Sequence, residues 1–474
     1  MSTISTILIF TALALGIRLL SRGTARGWLL LISSVLAIYW LQPVMPLRYM
    51  DFWIPSLTLL ITVLSWVMTT PGEQRSQKQN WLTALIIAVV FLLIAATRFL
   101  GYEGILTAAR PPQFYQVLLF TALAALIAAI LWRFSNTKRA VLWAAIFILV
   151  VFFVLIKTPA LALWSSRGLR SLLGQSVDLA AALDIRWLGF SYIAFRLIHT
   201  LRDRMTGRLP AVSLQEYMVY ALFFPAFTAG PIDRLERFIK DIRQPFGPLP
   251  EDLTDAGKRL AIGLFKKFVV ADSLALFALN ATNAGQASST GWTWIMLYAY
   301  ALQIYFDFAG YTDIAIGMGR ILGIKLPENF IRPYLKPNLT QFWNNWHMTL
   351  TQWFRAYFFN PITRSLRRSS RFQPWTIILI TQLITMLLIG LWHGVTWNFV
   401  LWGLWHALGL FFQNRYSEWA KPKLAALRQT AAVDSSLNIL GVVLTFHYVA
   451  LGWVWFALPS LDLSINIFAR LFGL

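Results

Sequence analysis

A chain of 474 residues with 58% hydrophobic and only 13% charged side chains, and a mean hydropathy of +0.60, falls outside the ordinary soluble class, in which roughly a quarter of residues are charged. Its 41 basic and 20 acidic residues give a formal charge of +21, but no nucleic-acid-binding motif accompanies them. The excess therefore reads as loop charge facing anionic lipid. The lack of cysteine excludes disulfides, thiolate metal sites and a cysteine nucleophile.

A crossing helix needs about 20 apolar residues. In chain order, spans are predicted at Ile4–Ile17, Gly27–Leu41, Phe52–Thr70, Trp81–Thr97, Phe114–Trp132, Val141–Ile156 and Trp187–Leu201. No positive charge precedes the first, so it reads as a retained span rather than a cleavable signal. Arg18, Arg22 and Arg26, then Arg75 and Lys78, then Arg133, Lys138 and Arg139, then Arg196, Arg202, Arg204 and Arg208 fall on one side. They outnumber Arg48, Arg98, Arg110, Lys157, Arg167, Arg170 and Arg186 opposite, which makes the first side cytoplasmic and puts the N-terminus outside.

Alternation is less clean in the second half. Leu214–Thr228 is apolar, yet the charged stretch from Asp233 to Arg243 follows it. A re-entrant or interfacial element resolves the conflict, because irregular backbone is tolerated at membrane depth where protein buries it. Asp255–Leu276 has the mixed pattern of an amphipathic interfacial helix. Trp292–Ile321 is long and apolar but holds Asp307 and Asp313. Late spans are expected at Trp375–Leu391, Trp397–Phe412 and Leu437–Leu458. The fold class is all-α, a polytopic integral membrane protein of about 11–13 spanning or interfacial helices around a buried catalytic chamber.

Two of only five histidines sit in aromatic settings: His347 in Trp343-Asn344-Asn345-Trp346-His347, and His393 in Gly390-Leu391-Trp392-His393-Gly394. Histidine titrates nearest neutrality and suits proton transfer. The segment Gln341–Asn360 is too polar to span, and the spacing of Trp343, Trp346, Trp353 and Tyr357 predicts one boundary helix, capped by Asn338 or Thr340. From the residues alone, two alternatives stand: His347 and His393 converge on one cavity, or each packs as a neutral structural ring. His406 lies 13 positions beyond His393. On a continuous helix that is roughly 20 Å, which places it outside a compact site. His199 and His447 read as structural. Asp307 and Asp313, as intramembrane carboxylates, are functional candidates, with hydrogen bonds to Tyr305, Tyr311 or an arginine as the structural alternative. Arg332, Arg355 and Arg364 suit a phosphate or carboxylate or a lipid headgroup, and the Arg364, Arg367, Arg368 and Arg371 cluster reads as a cytoplasmic anchor or a dock for an acidic carrier. Zinc is disfavoured, since no His-x-x-x-His or His-Glu-x-x-His spacing occurs.

These motifs resemble the membrane-bound O-acyltransferase family, in its bacterial branch of alginate O-acetylation and teichoic-acid D-alanylation proteins. The similarity runs through residues 298–313, Leu326-Pro327-Glu328-Asn329-Phe330, Arg332-Pro333-Tyr334, Phe342-Trp343-Asn344-Asn345-Trp346-His347 and Gly390-Leu391-Trp392-His393-Gly394. Residues 181–474 would then be the acyltransferase core, and residues 1–180 a set of less family-like N-terminal helices. The resemblance implies His393 as the principal catalytic residue and His347 as its partner, with Asn344, Asn345, Trp346, Trp392, Asp307, Asp313, Arg332 and Arg355 binding substrate or supporting the site. It implies no metal and no bound cofactor, and an acyl thioester (acetyl-CoA or an acyl carrier protein) as co-substrate. The acceptor would be a hydroxyl of a cell-surface or exported polysaccharide, and the setting the inner (cytoplasmic) membrane. A periplasmic or extracellular acyltransferase is an implied partner. D-alanyl transfer toward teichoic acid and proton-coupled export are the competing functions.

Overall fold

The computed structural model describes residues 3–21, 23, 25–101, 106–134, 139–286, 289–427 and 430–474. Arg22 and Lys138, used above for orientation, lie outside the described residues. All regular structure among the described residues is helical, and six helices are long and apolar enough to cross a membrane: Met50–Thr69, Lys78–Leu100, Phe114–Arg133, Arg139–Lys157, Pro374–His393 and Ala431–Ala457. The chain is an all-α polytopic membrane protein. It divides into two compact units, one of residues 1–260 with 314–326, the other of residues 261–313 with 327–474.

In the first unit the apolar segments form helices at Ile4–Leu20, Ala25–Leu41 and Phe190–Met205, in addition to the long ones. A short amphipathic helix, Pro159–Leu172, was not anticipated, because its arginines break the apolar run. Its buried Arg170 pairs with Asp184 at 2.8 Å. The core is aromatic, with Tyr39, Phe52, Trp66, Tyr217, Tyr220 and Phe223 all fully buried. The Tyr217 hydroxyl lies 2.7 Å from both Ser65 Oγ and Thr200 Oγ1, tying three helices together.

The ambiguous Leu214–Thr228 stretch is a nine-residue helix, Leu214–Leu222, followed by a buried 3₁₀ turn at Phe224–Ala226. Nine residues rise about 14 Å, less than half of a hydrocarbon core of about 30 Å, so the helix does not cross. Its end is buried without exposing backbone to lipid, because Arg196 donates to the carbonyls of Ala221 and Ala226, each at 2.8 Å.

In the second unit, the expected interfacial helix contains a π-helical turn, Phe265–Ala271, which carries Lys266 and Lys267, and ends one α-helical turn later at Ala275. These lysines meet the carboxylates of residues 290–313: Lys266 Nζ donates to Asp313 Oδ2 at 2.6 Å, and Lys267 to Asp307 Oδ1. Each carboxylate is thus held by a lysine, a partner that the sequence reading did not name. Further on, Pro374–His393 and Trp397–Leu427 pack as an antiparallel pair. Glycines allow the close approach: a Cβ on Gly390 would stand 2.2 Å from the Phe399 carbonyl oxygen, and one on Gly403 2.7 Å from that of Met386. Small residues at a crossing are how helices gain contact in lipid, where apolar burial adds no driving force.

Candidate active site

The segment bearing His347 is not the single helix that its periodicity predicts. Leu339–Asn345 starts at Asn338, whose side chain accepts from Gln341 N at 2.9 Å. The chain then breaks at Trp346 and resumes as Met348–Phe354, a π turn over Arg355–Phe359, and Asn360–Arg368. The break falls on the candidate residue itself. His347 adopts φ 41° and ψ 55°, the left-handed region, which costs a non-glycine residue on the order of 1–3 kcal/mol and persists only where the surroundings hold it. Periodicity reports which side chains face the core and is blind to one residue changing hand.

Asn329 holds this turn. It is fully buried, its carbonyl accepts from Met348 N at 2.9 Å, and its Oδ1 accepts from Thr349 N at 3.3 Å and Thr349 Oγ1 at 2.7 Å. Asn329→Ala removes two of these bonds and frees His347 to leave the left-handed state. Displacing a reacting group by about 1 Å costs on the order of a hundredfold in rate. With His347 in the role that the family resemblance implies, acyl transfer should drop by about that much while the chain still accumulates in the membrane, measured as product ester per unit of purified protein.

His347 is 3% exposed, and its Nε2 has no hydrogen-bond partner among the described residues. It lies outside the long apolar helices, and burial lowers its pKa to about 3, so the imidazole is neutral at physiological pH. Its ring packs edge-on to Phe308 at 4.7 Å and lies 6.0 Å from Trp392. The same Trp392 indole lies 4.5 Å from the ring of His393. Phe456, Trp402 and Phe399 complete the surround of His393 at 4.7, 5.6 and 5.9 Å. His393 is the last residue of its helix and half-buried, so it is reachable where His347 is enclosed. The two histidines thus both pack against the Trp392 ring.

The other sequence candidates sort differently. Trp346 is buried in an aromatic stack with Phe342, Tyr334 and Trp453, and it shapes the turn that sets His347. Asn345 Nδ2 donates to Gln341 O of its own helix at 2.8 Å, and exposed Asn344 accepts from Arg355 Nη2 at 2.7 Å. Arg332 is itself left-handed, with φ 47°, and opens the short turn Pro333–Leu335. Arg355, with Thr340, Trp343, Thr385 and Asn414, lines a cavity of about 420 Å³ within the second unit. Asp307 and Asp313 are held by the lysines described above.

The distance argument that removed His406 fails, because the helix is not continuous. The chain turns between His393 and Trp397. Trp402 then touches both rings, His393 at 5.6 Å and His406 at 4.9 Å. His406 is fully buried, neither ring nitrogen has a partner among the described residues, and Trp343 packs edge-on against it at 5.1 Å. Asn329, Phe308 and Trp402 are contributors that sequence reasoning did not single out. Asn329 lay inside a quoted motif, but nothing in one sequence marks it as the residue that holds a turn 18 positions away.

His447 bonds to Val443 O of its own helix at 2.7 Å. In the first unit, His199 lies with Asp203 and Glu236 in the one metal-like grouping among the described residues. Its Nε2 already accepts from Leu235 N at 3.1 Å, and its Nδ1 faces Asp203 at 3.2 Å. Both ring nitrogens are thus engaged, as in a structural histidine.

Residues 135–448 match the model of the membrane-bound O-acyltransferase family. The chain belongs to that family. Among curated proteins it is 33% identical over 292 residues to a probable alginate O-acetylase of Azotobacter vinelandii, covering 60% of this chain and 54% of that protein. It is 32% identical over 285 residues to a teichoic acid D-alanyltransferase of Streptococcus thermophilus (58% and 68%), and 31% identical over 288 residues to a peptidoglycan O-acetyltransferase of Helicobacter pylori (58% and 52%). The chain thus spans about half the length of the alginate O-acetylases it matches. Both histidine motifs lie inside the family match, and residues 1–134 precede it.

Proposed function

We infer that this membrane protein transfers a short acyl group, acetyl foremost, from a thioester donor such as acetyl-CoA or an acyl carrier protein to a hydroxyl of a cell-surface or exported polysaccharide. The observation that carries this reading is the packing of His347 and His393 against one indole, with a strained turn holding the first and a helix end presenting the second. Neutral His393 takes the proton of the acceptor hydroxyl as that oxygen bonds to the thioester carbonyl carbon. The tetrahedral intermediate then expels the thiolate, which receives the proton from the imidazolium. His347, kept neutral by burial, donates a hydrogen bond that positions the thioester or its oxyanion. The chain's own residues suffice for this proton balance. The family match and the relatives named as O-acetylases support the acyl class, and the apolar helices support placement in the cytoplasmic membrane.

D-alanyl transfer toward teichoic acid is the second reading. It is favoured by one observation, that this chain covers a larger share of the Streptococcus thermophilus relative than of the alginate O-acetylases. Both readings meet one experiment, mass spectrometry of ester-linked groups on the host's envelope polymers in wild type, His393→Ala and His347→Ala at matched membrane levels. Loss of acetyl esters in both variants supports the first reading, and loss of alanyl esters the second. Unchanged esters with impaired polymer export would replace both with a proton-coupled exporter.

A further inference from the structure

The first unit contains a cavity of about 840 Å³, remote in sequence from either catalytic candidate. Its walls come from the turn before Ala25–Leu41, the start of Lys78–Ala96, the start of Leu214–Leu222 and the stretch after Leu235–Arg243. Arg26, Lys78 and Arg243 line it against a single carboxylate, Glu216. That carboxylate is already taken by Arg243, which grips it with Nε at 2.6 Å and Nη2 at 3.0 Å. The positive charge of Lys78 and part of that of Arg26 are left over.

Arg26 is a built part of the floor. It is 6% exposed, and its guanidinium is fixed by the carbonyls of Gln244 at 2.9 Å and Leu322 at 2.7 Å, neutral groups, with the Asp241 carboxylate offsetting part of its charge. Beside it, Gln215 is 7% exposed, and its Nε2 has no acceptor among the described residues. Its Oε1 contacts Gln79 Nε2 only at 3.5 Å. Lys78 is exposed at the rim, and no described carboxylate pairs with it. An anion is the complementary occupant.

The apolar surroundings narrow the anion to a lipid. Trp28 and Leu82 share the cavity lining with the cations. From Leu82, exposed apolar side chains continue along one helical stripe at Leu85, Val89 and Leu93. The cations therefore sit where a long apolar helix begins, at the level of headgroups, with a track for acyl chains leading away. The Lys/Arg asymmetry puts this end on the cytoplasmic side, where the leaflet carries anionic lipid. We propose that this cavity binds the phosphate headgroup of one anionic phospholipid, with its acyl chains along the Leu82–Leu93 stripe. Residues 26, 28, 78, 79 and 82 precede the family match, whereas 215, 216 and 242–246 lie within it, so the N-terminal helices supply one wall of the site and the matched region the other.

The test is native mass spectrometry of the purified full chain in detergent, equilibrated separately with phosphatidylglycerol and with phosphatidylcholine. One phosphatidylglycerol should survive detergent exchange and phosphatidylcholine should not. Lys78→Glu should lower that retention at least tenfold, while Arg133→Gln, a charge removal on the same side outside the cavity, should leave it unchanged. Equal retention of the two lipids, an unaffected Lys78→Glu, or an equal loss in Arg133→Gln would overturn the proposal. So would displacement of the lipid by millimolar inorganic phosphate, which would identify a soluble anion as the occupant. The wild-type comparison of the two lipids needs no variant and decides alone where Lys78→Glu fails to accumulate.

Discussion

Replacing His393 with alanine is expected to lower acyl transfer by about a hundredfold to ten-thousandfold, the range a positioned general base contributes. The donor's affinity should change little, because in the proposed mechanism the imidazole acts on the attacking hydroxyl. Removing a ring that touches Trp392, Phe399, Trp402 and Phe456 also opens space among those aromatics. His393→Asn, which keeps more of the volume and no base, separates the two effects. Both variants should be equally inactive, with the asparagine form closer to wild type in melting temperature. Turnover in purified protein with donor and acceptor supplied is the measurement, and near-wild-type turnover in His393→Asn would remove this residue from the chemistry.

Gly390→Ala should have the largest structural effect of any glycine-to-alanine change at the described glycines of the second unit. The added carbon would lie 2.2 Å from the Phe399 carbonyl oxygen, a backbone atom with no rotamer to yield. Overpacking typically costs about 1–3 kcal/mol, and a contact this short against backbone belongs at the upper end or beyond. The helix pair must separate, and His393 sits three residues from the wedge, less than one turn. A lowered melting temperature and a loss of activity should therefore appear together. Ala at Gly168, where a Cβ would meet nothing within 4 Å, is the matched control and should change neither.

Long apolar runs were legible because lipid is an unforgiving solvent. Arg139–Lys157 and Pro374–His393 match the predicted spans within two residues at each end, since a span must be predominantly apolar whatever packs beside it. Segments whose form depends on tertiary partners were not legible in the same way. Leu214–Leu222 ends early because Arg196 can cap it from another helix. The His347 turn exists because Asn329 holds it from 18 residues away, and the turn after His393 brings that ring onto Trp402, one helical turn before His406. Hydropathy sees none of these, because each is a contact between residues on different elements. The two histidines could be named from their motifs, whereas the shared Trp392 ring could only be seen once the chain had folded.

The pairing of Lys266 and Lys267 with Asp313 and Asp307 bears on how the chain is made. The Thr290–Ile321 helix has 32 residues and rises about 48 Å, longer than the hydrocarbon core. Arriving alone, Asp307 near its midpoint would oppose insertion by about 2.5–3.5 kcal/mol on the insertion scale, and Asp313, about two turns on, would add to that cost. The lysines emerge from the ribosome first and wait some forty residues for the carboxylates that neutralise them. Biogenesis of the second unit is therefore a matter of partnership, the Phe265–Ala271 turn and the aspartate helix leaving the translocon together. Charge-swapped chains, with Asp at 266 and 267 and Lys at 307 and 313, should integrate as well as the native one, while either half-swap should stall at the membrane.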